Sequence, residues 1–314
     1  QIVYVLADNE KLKYYNELIK SVYSLHYQMP EQKICVLTDN DTFNLINKLE
    51  ITQFAELRPI EVPSDLSVVE RSRYLKLITR QVISGEMLFI DADTVIARPF
   101  PEIKSEKSIG IVWDINIHRT KVEFCDKVSE LCGIPLNDFK YYYNSGVIWS
   151  KDNDISRKFF SEWLELWEIT RKAGCYKDQP SFNHICEKFS DNILTLDNMW
   201  NCQIGSWMST PLHCFYGSYI IHYFHDTTSA YKLSNPYYLE KKYNDKEMLE
   251  ILQNPYNAFD ECKVLKINDG YYHIKGDMSY RLIHWLWKNH NKIYNMIEKI
   301  LRPIAGYIFK KKTK

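Results

Sequence analysis

Short apolar runs that end on acidic residues alternate with amphipathic stretches along most of the chain. Ile2 to Ala7 is such a run and ends at Asp8-Asn9. Glu10 to Tyr27 follows with Leu12, Tyr15, Ile19, Val22 and Leu25 at helical spacing, the pattern of a helix packed on a sheet. Ile34 to Thr38 is a second apolar run, closed by Asp39. Strand, helix and strand with polar residues at each strand's end predict a parallel sheet with right-handed crossovers. Residues 57–62 predict another strand, closed by Pro63. Ser64 to Ser84 then reads as a helix, with Leu75, Leu77, Ile78, Val82 and Ile83 on its apolar face and Arg71, Arg73 and Lys76 close together. Gly85-Glu86 ends it. In Met87 to Ile96 four apolar residues lead into Asp91-Ala92-Asp93 and more apolar residues follow, as in a strand buried on both faces.

Further strands are predicted at Ile109 to Trp113, at Tyr141 to Trp149 (interrupted by Asn144-Ser145-Gly146), at Ile193 to Leu196 and at Tyr219 to Tyr223. Ile155 to Arg171 reads as a strongly amphipathic helix. Asp178-Gln179-Pro180-Ser181 opens another, with Pro in its first turn. This is the pattern of an α/β domain with a mostly parallel central sheet, assigned to residues 1–235. From about Asn235 the character changes, and residues 236–314 read as a C-terminal extension. It carries a hairpin signal at Asn268-Asp269-Gly270 and a long helical pattern from Tyr280 to Phe309.

Composition narrows the function classes. With 314 residues the chain can bury a large core. Its 40 basic and 40 acidic residues cancel, which argues against nucleic acid as a partner. The eight cysteines (35, 125, 132, 175, 186, 202, 214 and 262) include no Cys-x-x-Cys pair, so zinc and redox chemistry have no support. Reduced thiols in a cytoplasmic protein are the expectation. No apolar run approaches the roughly 18 residues of a membrane span. No signal peptide is legible at the start, where Gln1 is compatible with processing or truncation. Aromatics make up 14%, led by 23 Tyr, which suits a sugar-binding cleft and equally a Tyr-rich core.

The candidate chemistry centres on Asp91 and Asp93. Ionised carboxylates at the end of a buried strand require a partner, and a cation is the obvious one. Three readings compete. Asp-x-Asp after an apolar strand also opens the haloacid-dehalogenase-type phosphatases, in which the first acid attacks phosphate and the second is a general acid. Those place the motif on the first strand and use a later acidic pair, whereas here it follows two or three strands and Arg281 stands where the second acid after Asp277 is expected. A pair of loop or helix-capping aspartates is the bland reading. The third is a nucleotide-sugar-dependent transferase, where a divalent ion neutralises the departing diphosphate and hard carboxylate oxygens suit magnesium or manganese.

Several segments, in order, resemble the GT-A-fold glycosyltransferases of family 8: Ile2 to Asp8, Ser72-Arg73-Tyr74-Leu75-Lys76, Phe89-Ile90-Asp91-Ala92-Asp93, Tyr143-Asn144-Ser145-Gly146-Val147, Asp178-Gln179, Trp200-Asn201 and Ile221-His222-Tyr223. The resemblance spans about residues 1–232. It implies a retaining enzyme that moves a hexose from a UDP-sugar to a saccharide or lipid-linked saccharide acceptor, as in polysaccharide or lipopolysaccharide assembly. A nucleotide-sugar-binding protein without catalysis is the non-enzyme alternative.

Carried over residue by residue, the resemblance implies that Asp91, Asp93 and His222 hold the metal, with manganese favoured over magnesium by the imidazole. Ala7 and Asp8 would receive the base, and Arg73 and Lys76, together with Ala92 of the metal motif, the phosphates and ribose. Asn144, Asp178 and Gln179 would face the transferred sugar and acceptor, Asp178 with a positioning and electrostatic role. A core histidine, a solvated basic helix face and a helix N-cap are the respective alternatives for His222, for Arg73 with Lys76, and for Asp178. The family often follows its histidine with a Gly and then Lys-Pro-Trp; this chain departs with His222-Tyr223-Phe224-His225-Asp226, and Lys232, further on, would do the same work from a longer loop.

In the C-terminal extension Leu282, Trp285, Leu286, Ile293, Met296, Ile297, Ile300 and Leu301 share one helical face. Lys288, Lys292, Lys299 and Arg302 mostly take the other, and a lysine tail follows. Two readings fit: peripheral contact with anionic lipid at the inner face of the cell membrane, or a helix packed on the main domain.

Overall fold

Strand β1 (Ile2–Leu6) is buried throughout and sends alternate side chains into two different cores. Ile2, Tyr4 and Leu6 meet Leu18, Ile19, Val22 and Leu25 of helix α1 (Lys13–Gln28). Val3, Val5 and Ala7 belong to the opposite core with Leu75, Trp163 and Phe182. A sheet buried on both faces has no alternation of polar and apolar residues, which is why its strands read as continuous apolar runs. The structure is a computed structural model that describes residues 1–114, 126–136, 139, 141–204, 212–224, 241–259, 290, 292–297, 299 and 300.

After β1 and α1 come β2 (Ile34–Asp39), α2 (Asn40–Ile46), β3 (Glu56–Ile60), α3 (Val68–Leu77), α4 (Thr79–Val82), β4 (Met87–Ile90), β5 (Thr94–Ile96) and β6 (Ile109–Trp113). Then follow α5 (Asp126–Cys132), β7 (Tyr143–Ser150), α6 (Asp154–Lys172), α7 (Gln179–Lys188), β8 (Ile193–Leu196), β9 (Cys202–Gln203), α8 (Leu212–Gly217), β10 (Ile220–His222) and α9 (Lys246–Gln253). The central sheet has the order β3-β2-β1-β4-β7-β6-β8. Only β7 runs against its neighbours, and the other pairings are parallel. The fold is thus α/β with a mostly parallel sheet and helices on both faces, as expected. Parallel strands collect their carboxyl ends on one edge, and the reversed β7 brings its amino end, Tyr143-Asn144-Ser145-Gly146, to that same edge.

Two expected elements divide. The helix expected over Ser64 to Ser84 starts later, at a capping box in which Ser67 and Glu70 satisfy each other's backbone N–H groups, and breaks at Ile78 into α3 and α4. The apolar stretch Met87 to Ile96 is two strands in two sheets. β4 stays in the central sheet, while β5 joins a small sheet of order β5-β10-β9. Asp91-Ala92-Asp93 is the turn between them.

Helix α1 lies between the two sheets, so more than one stripe of it is buried: Lys20, Ser21 and Ser24 are as enclosed as Leu18. Its hydroxyls serve the small sheet's free edge. Ser24 Oγ accepts the N–H of Ile96 at 2.9 Å, and Ser21 Oγ lies 2.8 Å from Thr94 Oγ1. Thr94 Oγ1 donates to the carbonyl of Asp91 at 2.8 Å, so Ser21 donates to Thr94, and Tyr4, 3.0 Å from Ser21, donates in turn. This buried chain of hydroxyls fixes the turn from beneath.

Beyond residue 235, Met248, Ile251, Leu252 and Phe259 pack into the same core as Leu18 and Val22. The hairpin expected around residues 268–270, Lys232, and most of the helical pattern from 280 to 309 lie outside the described residues; residues 292–297 are helical. No helix among the described residues is long and apolar enough to cross a membrane.

Lys20 is buried, with its ammonium 2.7 Å from the carbonyl of Lys241 and 5.1 Å from the centroid of the Tyr23 ring. Burial pushes its pKa down to about 8, against the pull of Glu50 and Asp245. Because the folded value lies below the unfolded one, the unfolded chain binds the extra proton between the two. The wild type therefore gains stability as pH rises through that window. Relative to a Lys20→Met variant, it is expected to gain on the order of 1–3 kcal/mol between roughly pH 7 and roughly pH 10. Urea unfolding of both proteins at the two pH values checks this, and a pH-independent difference would contradict it.

Candidate active site

The turn at Asp91 to Asp93 is held at both ends by backbone bonds. Asp91 donates its N–H to the carbonyl of Gly146 at 2.8 Å, and Asp93 accepts the N–H of Tyr223 at 3.1 Å. The two bonds come from different sheets, so the turn spans the seam between them. Strand β10 pairs antiparallel with β5, His222 opposite Thr94, and this register carries His222 to the acids. His222 Nε2 lies 3.3 Å from Asp93 Oδ1. One ligand atom from each of Asp91, Asp93 and His222 falls within 4.8 Å of the others. Two carboxylates and an imidazole so gathered fit a divalent cation with borderline-to-hard character.

The acids lie on a cavity of about 360 Å³ that is also lined by Ala7, Tyr14, Arg73, Lys76, Asp178 and Phe224. Helix α3 places Lys76 in its wall. The ammonium is 3.0 Å from Asp91 Oδ1 and 3.2 Å from Asp178 Oδ2, with only 8% of the side chain exposed. Arg73 Nε lies 3.7 Å from the other oxygen of Asp178, and Ser145 donates to Asp178 at 3.0 Å. Burial would raise the Asp178 carboxyl, but Lys76, Arg73 and the hydrogen bonds from Lys76 and Ser145 outweigh it and hold the pKa at about 2. Burial likewise works against the charge on Lys76, yet Asp178 and Asp91 together raise its pKa. Asp91 stands differently: burial, reinforced by Asp93, pushes its carboxyl up in spite of Lys76. At His222, burial disfavours the imidazolium, and Asp93 overrides it to raise the pKa.

Behind the acids a run of buried side chains crosses the site. Asp114 Oδ2, just past the end of β6, accepts from Asn144 Nδ2 at 3.1 Å and from Gln179 Nε2 at 3.0 Å. Asn144 Oδ1 accepts from the backbone N–H of Gly146 at 2.9 Å and from Asn201 Nδ2 at 2.8 Å. Asn201 Oδ1 lies 3.1 Å from His222 Nδ1. The pairing of β6 with β7 jumps from Ile111–Ile148 to Val112–Asn144, leaving residues 145–147 without partners on β6. Such an irregularity re-aims side chains, here Asn144 and Ser145.

Most residues expected from the sequence meet here. Ala7, Arg73, Lys76, Asp91, Ala92, Asp93, Asn144, Asp178, Gln179 and His222 all line the one cavity. Asp178 precedes α7, but its side chain makes no cap bond and turns to Lys76 instead. Its carbonyl accepts from Trp163 Nε1 and Ser181 Oγ, which fixes the turn. Asp8 departs from its expected role. It is 3% exposed, and its carboxylate accepts the N–H groups of Asn9 and Tyr15 at 2.8 and 2.7 Å, so it braces the entry to α1 and does not line this cavity. Arg71 turns away to Asp39 and Asp41. Asp114 was not singled out from the sequence, although an acid directly after an apolar strand is the same signal that marks Asp91.

Residues 8–229 match the profile of glycosyl transferase family 8. The chain belongs to this family. The family 8 chain is accordingly a glycosyltransferase of GT-A fold that uses a nucleotide sugar, and the phosphatase reading of Asp91 and Asp93 falls away. No curated protein sequence matches it. Among solved structures, it is similar to the galactosyltransferase LgtC in complex with donor and acceptor sugar analogs. The two are 16% identical over 71% of this chain and 87% of that one, with a TM-score of 0.47. It is also similar to the glycosyltransferase GlyE of Streptococcus pneumoniae TIGR4, at 14% identity over 79% of this chain and 62% of that one, TM-score 0.49. Mouse xyloside xylosyltransferase 1 is 14% identical over 66% of this chain and 88% of its own, TM-score 0.42. At such identities, the sugar each of these handles says nothing of the sugar handled here.

In this family 8 enzyme Gly146 sits where no other residue fits. A Cβ there would lie 2.4 Å from His222 Cε1, 2.8 Å from its Nδ1 and 2.9 Å from Asn144 Oδ1. Phe224 stacks on that ring at 4.1 Å between centroids, which resists its displacement. Phe224 itself adopts a φ of +55°, a conformation held by its surroundings. Gly146→Ala is therefore expected to lower stability by about 1–3 kcal/mol through overpacking. Urea unfolding measures it; an unchanged midpoint would mean that the imidazole yields.

Proposed function

We propose that the protein is a metal-dependent, retaining hexosyltransferase that takes its sugar from a UDP-sugar and passes it to a saccharide or lipid-linked saccharide. The observation that carries this reading is the meeting of Asp91, Asp93 and His222 within 4.8 Å on the wall of the cavity. These three side chains would hold manganese or magnesium. When bound, such an ion supplies Lewis-acid neutralisation of the charge that develops on the departing diphosphate. The raised pKa of Asp91 points the same way, because an acid pressed by burial and a second carboxylate is relieved by a cation.

The chain's own groups carry the remaining work. Arg73 and Lys76 present positive charge to the phosphates and ribose. Ala7, where β1 leaves the sheet, and Tyr14 both line the cavity, and Ala7 would receive the base. With a pKa of about 2, Asp178 has no proton to give near neutral pH, and Lys76 tempers it as a nucleophile. A fixed negative charge beside the sugar remains, which suits the positive character that grows at the anomeric carbon. Diphosphate leaves as a stable anion, so no general acid is needed, and its oxygen can take the acceptor's proton on the same face. Asn144 and Gln179, both bonded to Asp114, offer amides to the sugar and acceptor hydroxyls.

A panel of nucleotide sugars with Mn²⁺, read by thermal shift and by release of free nucleotide, tests the proposal. A UDP-hexose is expected to stabilise the protein only with metal, chelation to abolish the effect, and Asp93→Ala to lower turnover by roughly 10²-fold or more. Stabilisation by a donor in the absence of metal, or an unaffected Asp93→Ala, would overturn it.

A lipid-linked acceptor gains support from residues 292–300, where Ile293, Met296 and Ile300 are exposed at 46%, 57% and 57% beside lysines 292 and 299. An apolar face flanked by cations suits the surface of an anionic membrane. The protein is expected to co-sediment with phosphatidylserine-containing vesicles and to lose that binding when the three apolar residues are replaced by Glu. Equal sedimentation of both proteins would remove the membrane reading.

A further inference from the structure

The orientation of the Asn201 amide follows from a backbone group. The N–H of Gly146 can only donate, and it lies 2.9 Å from one end of the Asn144 amide, so that end is the oxygen. The opposite end, the NH₂, then faces Asp114 Oδ2 at 3.1 Å, an acceptor as required. Asn144 Oδ1 also meets the Asn201 amide at 2.8 Å, and only the NH₂ of Asn201 can satisfy it. The oxygen of Asn201 is thereby turned towards His222 Nδ1, 3.1 Å away, which must carry the proton. Each step excludes the flipped alternative, because a flip would set oxygen against oxygen between buried groups: Asn144 is 2% exposed, and Asn201 is fully buried.

We propose that Asn201 is a positioning residue for His222, holding the Nδ1–H so that the Nε2 lone pair stays directed at Asp91 and Asp93. The proposal rests on the metal reading above. Without Asn201 the ring has a competing choice. Asp93 Oδ1, 3.3 Å from Nε2, would accept a proton placed there, and the imidazole would become a donor to the acid in place of a ligand beside it. An outer partner that fixes a ligand's tautomer commonly governs metal affinity as strongly as a change in the ligands' surroundings can. Gly146 makes the arrangement reachable from both sides, since its N–H sets the first amide and its missing Cβ leaves room for the ring.

The test uses the full chain and three variants that differ in what they keep. Asn201→Asp retains an acceptor for Nδ1–H, at the cost of an added charge and of an oxygen in place of the donor to Asn144. Asn201→Ala loses both, and Asn201→Leu repeats that loss with the volume filled should the alanine variant not fold. Long-range ¹⁵N–¹H spectra of the metal-free proteins at alkaline pH read the tautomer. His222 is expected as Nδ1–H in the wild type and Asn201→Asp, and as Nε2–H or a mixture in Asn201→Ala or Asn201→Leu. Calorimetric titration with Mn²⁺ alone is expected to show about 10- to 100-fold weaker binding for Asn201→Ala or Asn201→Leu and near wild-type binding for Asn201→Asp. Nδ1–H retained in the alanine or leucine variant, or an aspartate variant as impaired as these, would overturn the role of Asn201. A wild type that keeps the Nδ1–H tautomer but binds no Mn²⁺ would overturn the metal reading while leaving the tautomer assignment standing.

Discussion

Two carboxylates set one residue apart repel each other wherever water cannot screen them, and this chain places Asp91 and Asp93 at the end of a strand buried on both faces. Much of the surrounding architecture answers that repulsion. Lys76 comes from one side of the central sheet to meet Asp91, and His222 comes through the small sheet to meet Asp93. The hydroxyl chain from Tyr4 through Ser21 and Thr94 holds the carbonyl of Asp91 from below. None of these contacts neutralises both acids, and the charge that remains is what a divalent cation would take up.

The reversal of β7 is the second element of the design. In an all-parallel sheet, the carboxyl ends alone would supply the edge. By running backwards, β7 brings an amino end there, with the N–H and the bare Cα of Gly146, the amide of Asn144 and the hydroxyl of Ser145. Ser145 serves Asp178, Asn144 serves Asp114, and Gly146 touches the Asp91 turn and the His222 ring together. One short segment thus connects Asp178 and the acidic turn to the amides around Asp114.

Much of this was legible in the sequence. Apolar runs that end on acids located the edge, and the order of segments located Asp178, Gln179 and His222. What escaped notice has physical reasons. Asp8, Asp39 and Asp91 carry the same signal, an acid after a strand. Nothing in the pattern says that Asp8 and Asp39 serve backbone N–H groups and Arg71, while Asp91 faces the cavity. Met87 to Ile96 reads as one apolar stretch because both halves are buried, although they lie in different sheets. Helix α1 was read with one apolar stripe, but contact with two sheets also buries Lys20, Ser21 and Ser24, residues that a single-stripe pattern leaves in water. Asn201 was visible only as a landmark, since its role depends on which way an amide points.

The distance along the chain between Asp93 and His222 has a consequence during synthesis. A ribosome delivers the acids roughly 130 residues before the imidazole, and contacts of such separation form late. While β10 is missing, β5 lacks its antiparallel neighbour and the Asp93 carbonyl lacks the N–H that Tyr223 donates to it. The nascent chain therefore carries the two acids without the imidazole until the small sheet closes. Completion of that sheet, not emergence of the acidic motif, marks the moment at which the chain first possesses the whole three-residue cluster.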